Sequence, residues 1–276
     1  VEDFIRQKNP GHSEYVPNTY SATLDGQTMH LLGHLWNYHK MRKKLPDGRG
    51  YSTLYDYDEL LAVDTELAAR LRRAAFALLD TFEYKNGAAH PEIMEDVNGD
   101  LYMVEIGFRE MGSEAPSLAA NAMSVNPLDL HLWAYRNKEK FREVWLAEQA
   151  QLGSALYRTK FARTVELVSQ RGGKVKRLPF KEEIESLDAV IHLLTAGVGA
   201  QWPVTYDLLT TPGHAQLVHE SEVEVQRAFH LIRAREQGMG MAVLEGDSDW
   251  DQEPLPREQR VDSEPTSPRV GDTTSP

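Results

Sequence analysis

HPEIMEDVNGDLYMVEIGFR, running from His90 to Arg109, sets an Asn-Gly pair between two runs of alternating apolar residues. Asn and Gly both tolerate the positive φ of a type I′ turn, so the pattern predicts two antiparallel strands joined at Asn98-Gly99. A two- or four-residue loop centred on that pair brings Glu92 directly opposite Glu105. The same register sets Ala88 opposite Arg109, His90 opposite Gly107 and Met94 opposite Met103, all on the glutamate face, because side chains alternate along a strand. Ile93, Val104, Ile106 and Phe108 then make the opposite, core-facing side. Directly opposed residues have Cβ atoms roughly 4.5–5.5 Å apart, a separation at which like charges repel. A cation held between the two carboxylates removes that penalty.

Upstream, EYVPNTYSATLDGQTMHLLGHLWNYHK (14–40) predicts a second hairpin, with Asp25-Gly26 as its turn and VEDFI at the front as a neighbouring strand. MRKKLPDGRGYS is basic, carries Pro46-Asp47-Gly48, and reads as a mobile loop. Asp64 or Thr65 caps a helix through Phe82, in which Leu67, Leu71, Ala74, Ala75, Leu78 and Phe82 recur at helical spacing. Strands covered by such a helix give an α+β architecture, an antiparallel sheet layered with helices. Asn126-Pro127 opens a further helix running toward EKFREVWLAEQAQL. From about Ala155 short β-like pieces punctuated by Gly predict a small β-rich domain over 155–240, closed by a helix in SEVEVQRAFHLIRAREQG that stops at Gly238. Residues 138–154 are the helical connection. No internal repeat is visible.

The chain has 276 residues, 41% hydrophobic and 26% charged, enough for one large or two ordinary domains. It has no cysteine, which excludes disulfides, thiolate nucleophiles and cysteine-based metal sites and fits a reducing, cytoplasmic setting. No apolar run is long enough to span a bilayer, and no signal-peptide pattern opens the chain. A net charge of −12 argues against a nucleic-acid partner, whose phosphates call for a basic surface. Much of that charge lies between Glu245 and Pro276, where nine acidic residues stand against three arginines amid Pro, Ser and Thr. Such a segment buries too little apolar surface to offset its ordering, so residues 241–276 are expected to be a disordered acidic tail.

Opposed carboxylates supply hard oxygen ligands suited to Mg²⁺, an ion that keeps several waters and is completed by substrate phosphates. Arg109, four residues beyond Glu105, presents a planar fork for a phosphate or carboxylate on the same face. A metal, a cationic clamp and no covalent nucleophile point to phosphoryl chemistry. A first Glu, a hairpin and then a second Glu within E-x-x-x-R resemble the magnesium site of ATP-grasp enzymes, and GAAHPEIMEDVNGDLYMVEIGFREMG is most similar to the branch containing L-amino acid ligases. VEDFI resembles that family's adenine-hinge strand, and EYVPNTYSATLDGQTMH with HLWNYHK resembles the two strands after it. The likeness covers residues 1–137 and, more weakly, 155–240.

This resemblance implies an ATP- and Mg²⁺- (or Mn²⁺-) dependent carboxylate–amine ligase that phosphorylates a small carboxylic acid or amino acid and lets an amine displace the phosphate from the acyl phosphate. It implies Glu92 and Glu105 as metal ligands, Arg109 against the transferred phosphate and Met94 as an apolar floor under the adenine. Backbone groups around Asp3 and Phe4 would lie at the adenine edge, Lys40 would contact phosphate and His90 substrate. Many family members read E-x-N-x-R, and the Asn place is here Gly107. The family's preceding domain, its phosphate-gripping lysines and its glycine-rich loop would lie before Val1, so the chain is expected to be a C-terminal part with weak or no turnover alone. The other functional readings are a non-catalytic remnant or interaction module, and another ATP-grasp reaction such as carboxylation or a purine-pathway ligation. Each residue also has a plain structural reading: solvent-facing glutamates, an Arg109–Glu105 ion pair, Met94 and Met103 as core, a packed His90, a solvated Lys40, and a simple turn at Gly197-Val198-Gly199. Nothing in the sequence sets the oligomeric state.

Overall fold

A computed structural model of the chain describes residues 13–44, 50–112, 114–237 and 241–247. The Asp25-Gly26 turn has both φ angles positive, at 51° and 79°, the conformation that follows the twist of two antiparallel strands. It joins β1 (Glu14–Leu24) to β2 (Gln27–Lys44). β2 continues through Met41–Lys44, which pair with Tyr51–Leu54 of β3 (Tyr51–Leu61), so the start of the expected loop is strand. Its end, Tyr51-Ser52, is likewise strand, while residues 45–49 and VEDFI lie outside the described residues.

Helix α1 (Glu66–Thr81) starts where the sequence places it, with the Thr65 side chain accepting from the Ala68 amide, and ends at Phe82. Its buried stripe is Ala68, Leu71, Ala75 and Leu79, shifted by a residue from the expected one, and Phe82 is exposed. Ala68, Leu71 and Ala75 of this stripe pack with Leu35, Trp36, Leu60 and Ile93 against one face of the sheet. β4 (Gly87–Glu95) and β5 (Leu101–Gly107) follow as the predicted hairpin. α2 (Ala115–Ala120) leads to α3 (Pro127–Arg136), which opens with Asn126 as cap and proline in its first turn. The single helix expected beyond it is broken at Asn137, whose side chain caps α4 (Lys138–Ala150).

β6 (Phe161–Glu166) adds directly to β3, and the chain continues through β7 (Gly173–Arg177), α5 (Lys181–Glu185), β8 (Val190–Thr195), β9 (Gln201–Trp202), β10 (Gly213–His219), α6 (Glu222–Gln237) and β11 (Val243–Leu244). One eight-stranded antiparallel sheet results, in the order β5-β4-β1-β2-β3-β6-β10-β8, beside a small sheet β11-β7-β9. The α+β class is the one expected. The acidic tail does not begin at 241: Met241 through Leu244 are buried, and β11 pairs with β7, because four apolar residues precede the charge run. Gly197-Val198-Gly199 forms the turn between β8 and β9, with Gly199 at φ 88°.

The β4–β5 register departs from expectation twice. Asn98 does not adopt a positive φ; the loop is the three residues Val97-Asn98-Gly99, with only Gly99 left-handed at 86°. Asp96 holds it, one carboxylate oxygen accepting from the amides of Asn98 and Asp100 at 2.8 Å each. That loop leaves the ladder one residue out of step with the predicted register, so Met94 faces Tyr102 rather than Met103. A bulge at Val104 then restores the step, and Glu92 pairs with Glu105 and His90 with Gly107 as predicted. The core-face assignment fails on β5. Among the described residues β5 is the edge strand, and Val104 on it and Phe108 just beyond it are 47% and 44% exposed, whereas Ile93 on the neighbouring strand is buried.

Candidate functional site

Alternation on β4 turns Ile93 and Glu95 toward α1, where Glu95 meets Arg70 at 2.9 Å, and turns Glu92 and Met94 to the opposite face. On that face the ladder sets Glu14 of β1 opposite Met94, Tyr38 of β2 opposite Glu14, and Asp58 of β3 opposite Tyr38. Lys40 joins this row, 2.6 Å from Glu14 and with its ammonium 4.7 Å from the centre of the Tyr55 ring. The Lys40 charge is therefore committed to Glu14.

Acidic groups dominate the electrostatics. Burial, then Glu14 and Glu105, push the Glu92 carboxyl up to about 7, against the opposing pull of Lys40 and Arg109. Asp58 is buried, with one carboxyl oxygen unpartnered among the described residues, and burial followed by Glu166 raises it well above the usual carboxylate range. Tyr38 and Tyr55 are raised for the same reasons, burial first and neighbouring carboxylates second. A face that holds its carboxyls against their own repulsion favours a cation.

His90, Glu92 and Glu105 each offer one ligand atom, and all three atoms lie within 4.8 Å of one another. This donor set fits a divalent ion: two carboxylates from adjacent strands, and an imidazole whose Nδ1 lies 3.1 Å from the carbonyl oxygen of Arg109. Gly107 makes the arrangement possible, because a Cβ there would stand 2.3 Å from Cε1 and 2.7 Å from Nε2 of His90. Arg109 is exposed and donates from Nη1 to the Glu110 carbonyl at 2.8 Å; among the described residues it forms no ion pair, so an Arg109–Glu105 pair is not what positions it. Met94 is half-buried beside Glu14. Asp3 and Phe4 lie outside the described residues.

Three features went unread in the sequence. Glu14 and Asp58 join the site only through ladder register, which no short-range pattern discloses. Glu110, next to Arg109, accepts from the Tyr20 hydroxyl at 3.0 Å and lies 2.7 Å from Nδ1 of His131 on α3, tying the end of the hairpin to the helical layer. Ser21, His30 and Asp80 form a line with spacings of 2.8 and 3.1 Å. Ser21 is fully buried within the sheet, which leaves no approach for a substrate and makes this trio a support between β1, β2 and α1.

No family model matches the sequence, and no curated protein does. Solved structures match its fold. An L-amino acid ligase from Bacillus licheniformis aligns over 81% of this chain and 53% of its own with TM-score 0.59 at 17% identity. A phosphoribosylglycinamide synthetase from Anaerococcus prevotii aligns over 85% and 53% with TM-score 0.56 at 10% identity. An N5-carboxyaminoimidazole synthetase from Staphylococcus aureus, complexed with ADP, aligns over 84% and 52% with TM-score 0.50 at 14% identity. The chain spans about half the length of these structures. Among the described residues no helix is long and apolar enough to cross a membrane.

Proposed function

We propose, on the premise that this chain has the ATP-grasp fold its solved neighbours share, that it is the part of a carboxylate–amine ligase that carries the divalent-metal site. The observation that carries this reading is the meeting of His90, Glu92 and Glu105 within 4.8 Å on one hairpin. The reaction is ATP-dependent activation of an amino acid or other small carboxylic acid as an acyl phosphate, followed by attack of an amine. A bound Mg²⁺ or Mn²⁺ supplies neutralisation of charge on the transferring phosphoryl oxygens. The protein's own groups hold and orient. Glu92 and Glu105 are the metal ligands, and Arg109, with guanidinium donors to spare, steadies phosphate. Met94 is the apolar floor for the adenine, with the backbone near Asp3 and Phe4 at its edge. Lys40 contacts phosphate only by leaving Glu14. Cytoplasmic residence belongs to the same reading, which the absence of cysteine supports.

Calorimetric titration of Mg²⁺ with ADP tests it. Glu105→Gln is expected to weaken metal-dependent nucleotide binding by about 1–3 kcal/mol, the usual size of a lost charge-assisted contact. Unchanged affinity would remove the case for the two glutamates.

A second reading, a fold that binds its ion and turns nothing over, is favoured by the Lys40–Glu14 pair, which occupies the ammonium on this face. Release of phosphate from ATP in the presence of mixed amino acids separates the two.

A further inference from the structure

We infer that His90 is a third ligand of the metal, through Nε2, and that it tunes the site toward Mn²⁺ over Mg²⁺. This rests on the reading of the hairpin as a metal site and goes beyond it, since two carboxylates alone express no such preference.

The first support is tautomeric. Nδ1 of His90 faces the Arg109 carbonyl at 3.1 Å, and a carbonyl only accepts, so Nδ1 carries the hydrogen and Nε2 the lone pair. Among the described residues Nε2 has no hydrogen-bond partner, and His90 as a residue is 3% exposed. An imidazole that donates one N–H to a backbone carbonyl and offers its other nitrogen is the arrangement that orients metal-bound histidines.

The second support is spatial. His90 and Gly107 are directly opposed on the glutamate face, and the ring occupies the volume where a residue-107 side chain would begin. Any side chain at 107 would project beside Glu105. The ring comes from the neighbouring strand instead, and the missing Cβ lets it lie over the backbone. A ligand-atom spread of up to 4.8 Å is close to the roughly 4.2 Å that separates opposite ligands of a small divalent ion, twice its bond length, so rotamer adjustment of the exposed Glu105 suffices. The chemistry sets the preference. Mg²⁺ takes oxygen ligands and binds nitrogen poorly, whereas a site of imidazole and carboxylates suits first-row transition ions, of which Mn²⁺ also accepts the carboxylate oxygens.

The experiment is a Mn²⁺ titration of the protein without nucleotide, with free ion read by electron paramagnetic resonance and the bound ion by pulsed measurement of nitrogen coupling. The native protein is expected to show one directly coordinated imidazole nitrogen. His90→Ala is expected to lose that coupling and at least tenfold in Mn²⁺ affinity, with a smaller loss for Mg²⁺. The double variant His90→Ala/Gly107→Asn places an amide oxygen in the vacated volume. It is expected to restore ion binding without imidazole coupling and to lower the Mn²⁺/Mg²⁺ preference at least tenfold relative to the native protein; it also tests the ligand exchange if the single variant does not fold. Bound Mn²⁺ with no nitrogen coupling in the native protein would overturn the inference. If Glu105→Gln still abolished Mn²⁺ binding in that case, the metal site would stand without His90. If neither the Glu105 nor the His90 variant altered ion binding, the metal site itself would fall.

Discussion

Replacing Gly107 by alanine sets a methyl group into the His90 ring. The added Cβ would lie 2.3 Å from Cε1, 2.7 Å from Nε2 and 3.0 Å from Nδ1. Carbon atoms at optimal separation stand about 3.5–4.0 Å apart, so the ring has to retreat by about an ångström. His90 as a residue is 3% exposed and its ring is held by its bond to the Arg109 carbonyl, so retreat breaks that bond and crowds its neighbours. Overpacking costs about 1–3 kcal/mol and the lost hydrogen bond about 1 kcal/mol, for a total of about 2–4 kcal/mol. At about 2–4 °C per kcal/mol for a chain of this size, the midpoint of thermal unfolding falls by roughly 5–15 °C. Urea denaturation of Gly107→Ala, His90→Ala and the double variant measures the coupling. Most of the Gly107→Ala penalty is expected to vanish once the ring is gone, a coupling energy of at least about 1 kcal/mol. Additive effects would refute the claim that the glycine exists to admit the ring.

Glu148 gives a second stability prediction: its buried carboxylate accepts from the amides of Gly153, Ala155 and Leu156 at 2.9, 2.7 and 2.7 Å. Glu148→Ala strands those donors and is expected to cost about 3 kcal/mol in chemical denaturation, with Glu148→Gln milder; a neutral alanine would show that water replaces the carboxylate. Glu166 is pushed up to about 7 by burial, against the pull of Arg233. The folded state therefore holds an extra proton between the unfolded value near 4.5 and about 7, so this contribution is fully present at low pH and lost as pH rises through that window, by about 3 kcal/mol. Glu166→Gln is expected to flatten stability against pH there, and an unchanged slope would assign it to another group.

The hairpin of the site was legible because Asn-Gly between alternating runs names its own partner strands. The facing of Glu92 and Glu105 was reached through two departures that cancel, a loop of three residues and a bulge at Val104, neither of which alternation encodes. The same alternation misled at Val104 and Phe108, since a strand's place at a sheet edge depends on what lies beside it and not on its own residues. The Asp25-Gly26 turn and the Thr65 cap were readable as local chemistry. Met41 through Lys44 looked like loop because charge was read as exposure, although a long hairpin pairs them with Tyr51–Leu54. Apolar Met241–Leu244 was visible before the acidic run and marks where folding continues. Gly107 opposite His90 was on the page as a pairing, but only three dimensions show the ring lying over it.

The broad sheet is joined at its middle by a narrow strip. Among the described residues the β3–β6 ladder is Tyr57, Asp58 and Glu59 against Val165, Thr164 and Arg163, reinforced by Arg163 on Glu59, Arg233 on Asp56 and Lys43 on the carbonyls of Ser169 and Thr205. On one side lie the cores around α1 and α3, on the other the core around α6, with Ala162 of β6 and Val218 of β10 carrying the α1 core across the ladder. A ladder that short is expected to leave the two flanks with different hydrogen-exchange free energies. Ion binding at the far hairpin is then expected to slow amide exchange more in β1, β2, β4 and β5 than in β8 and β10.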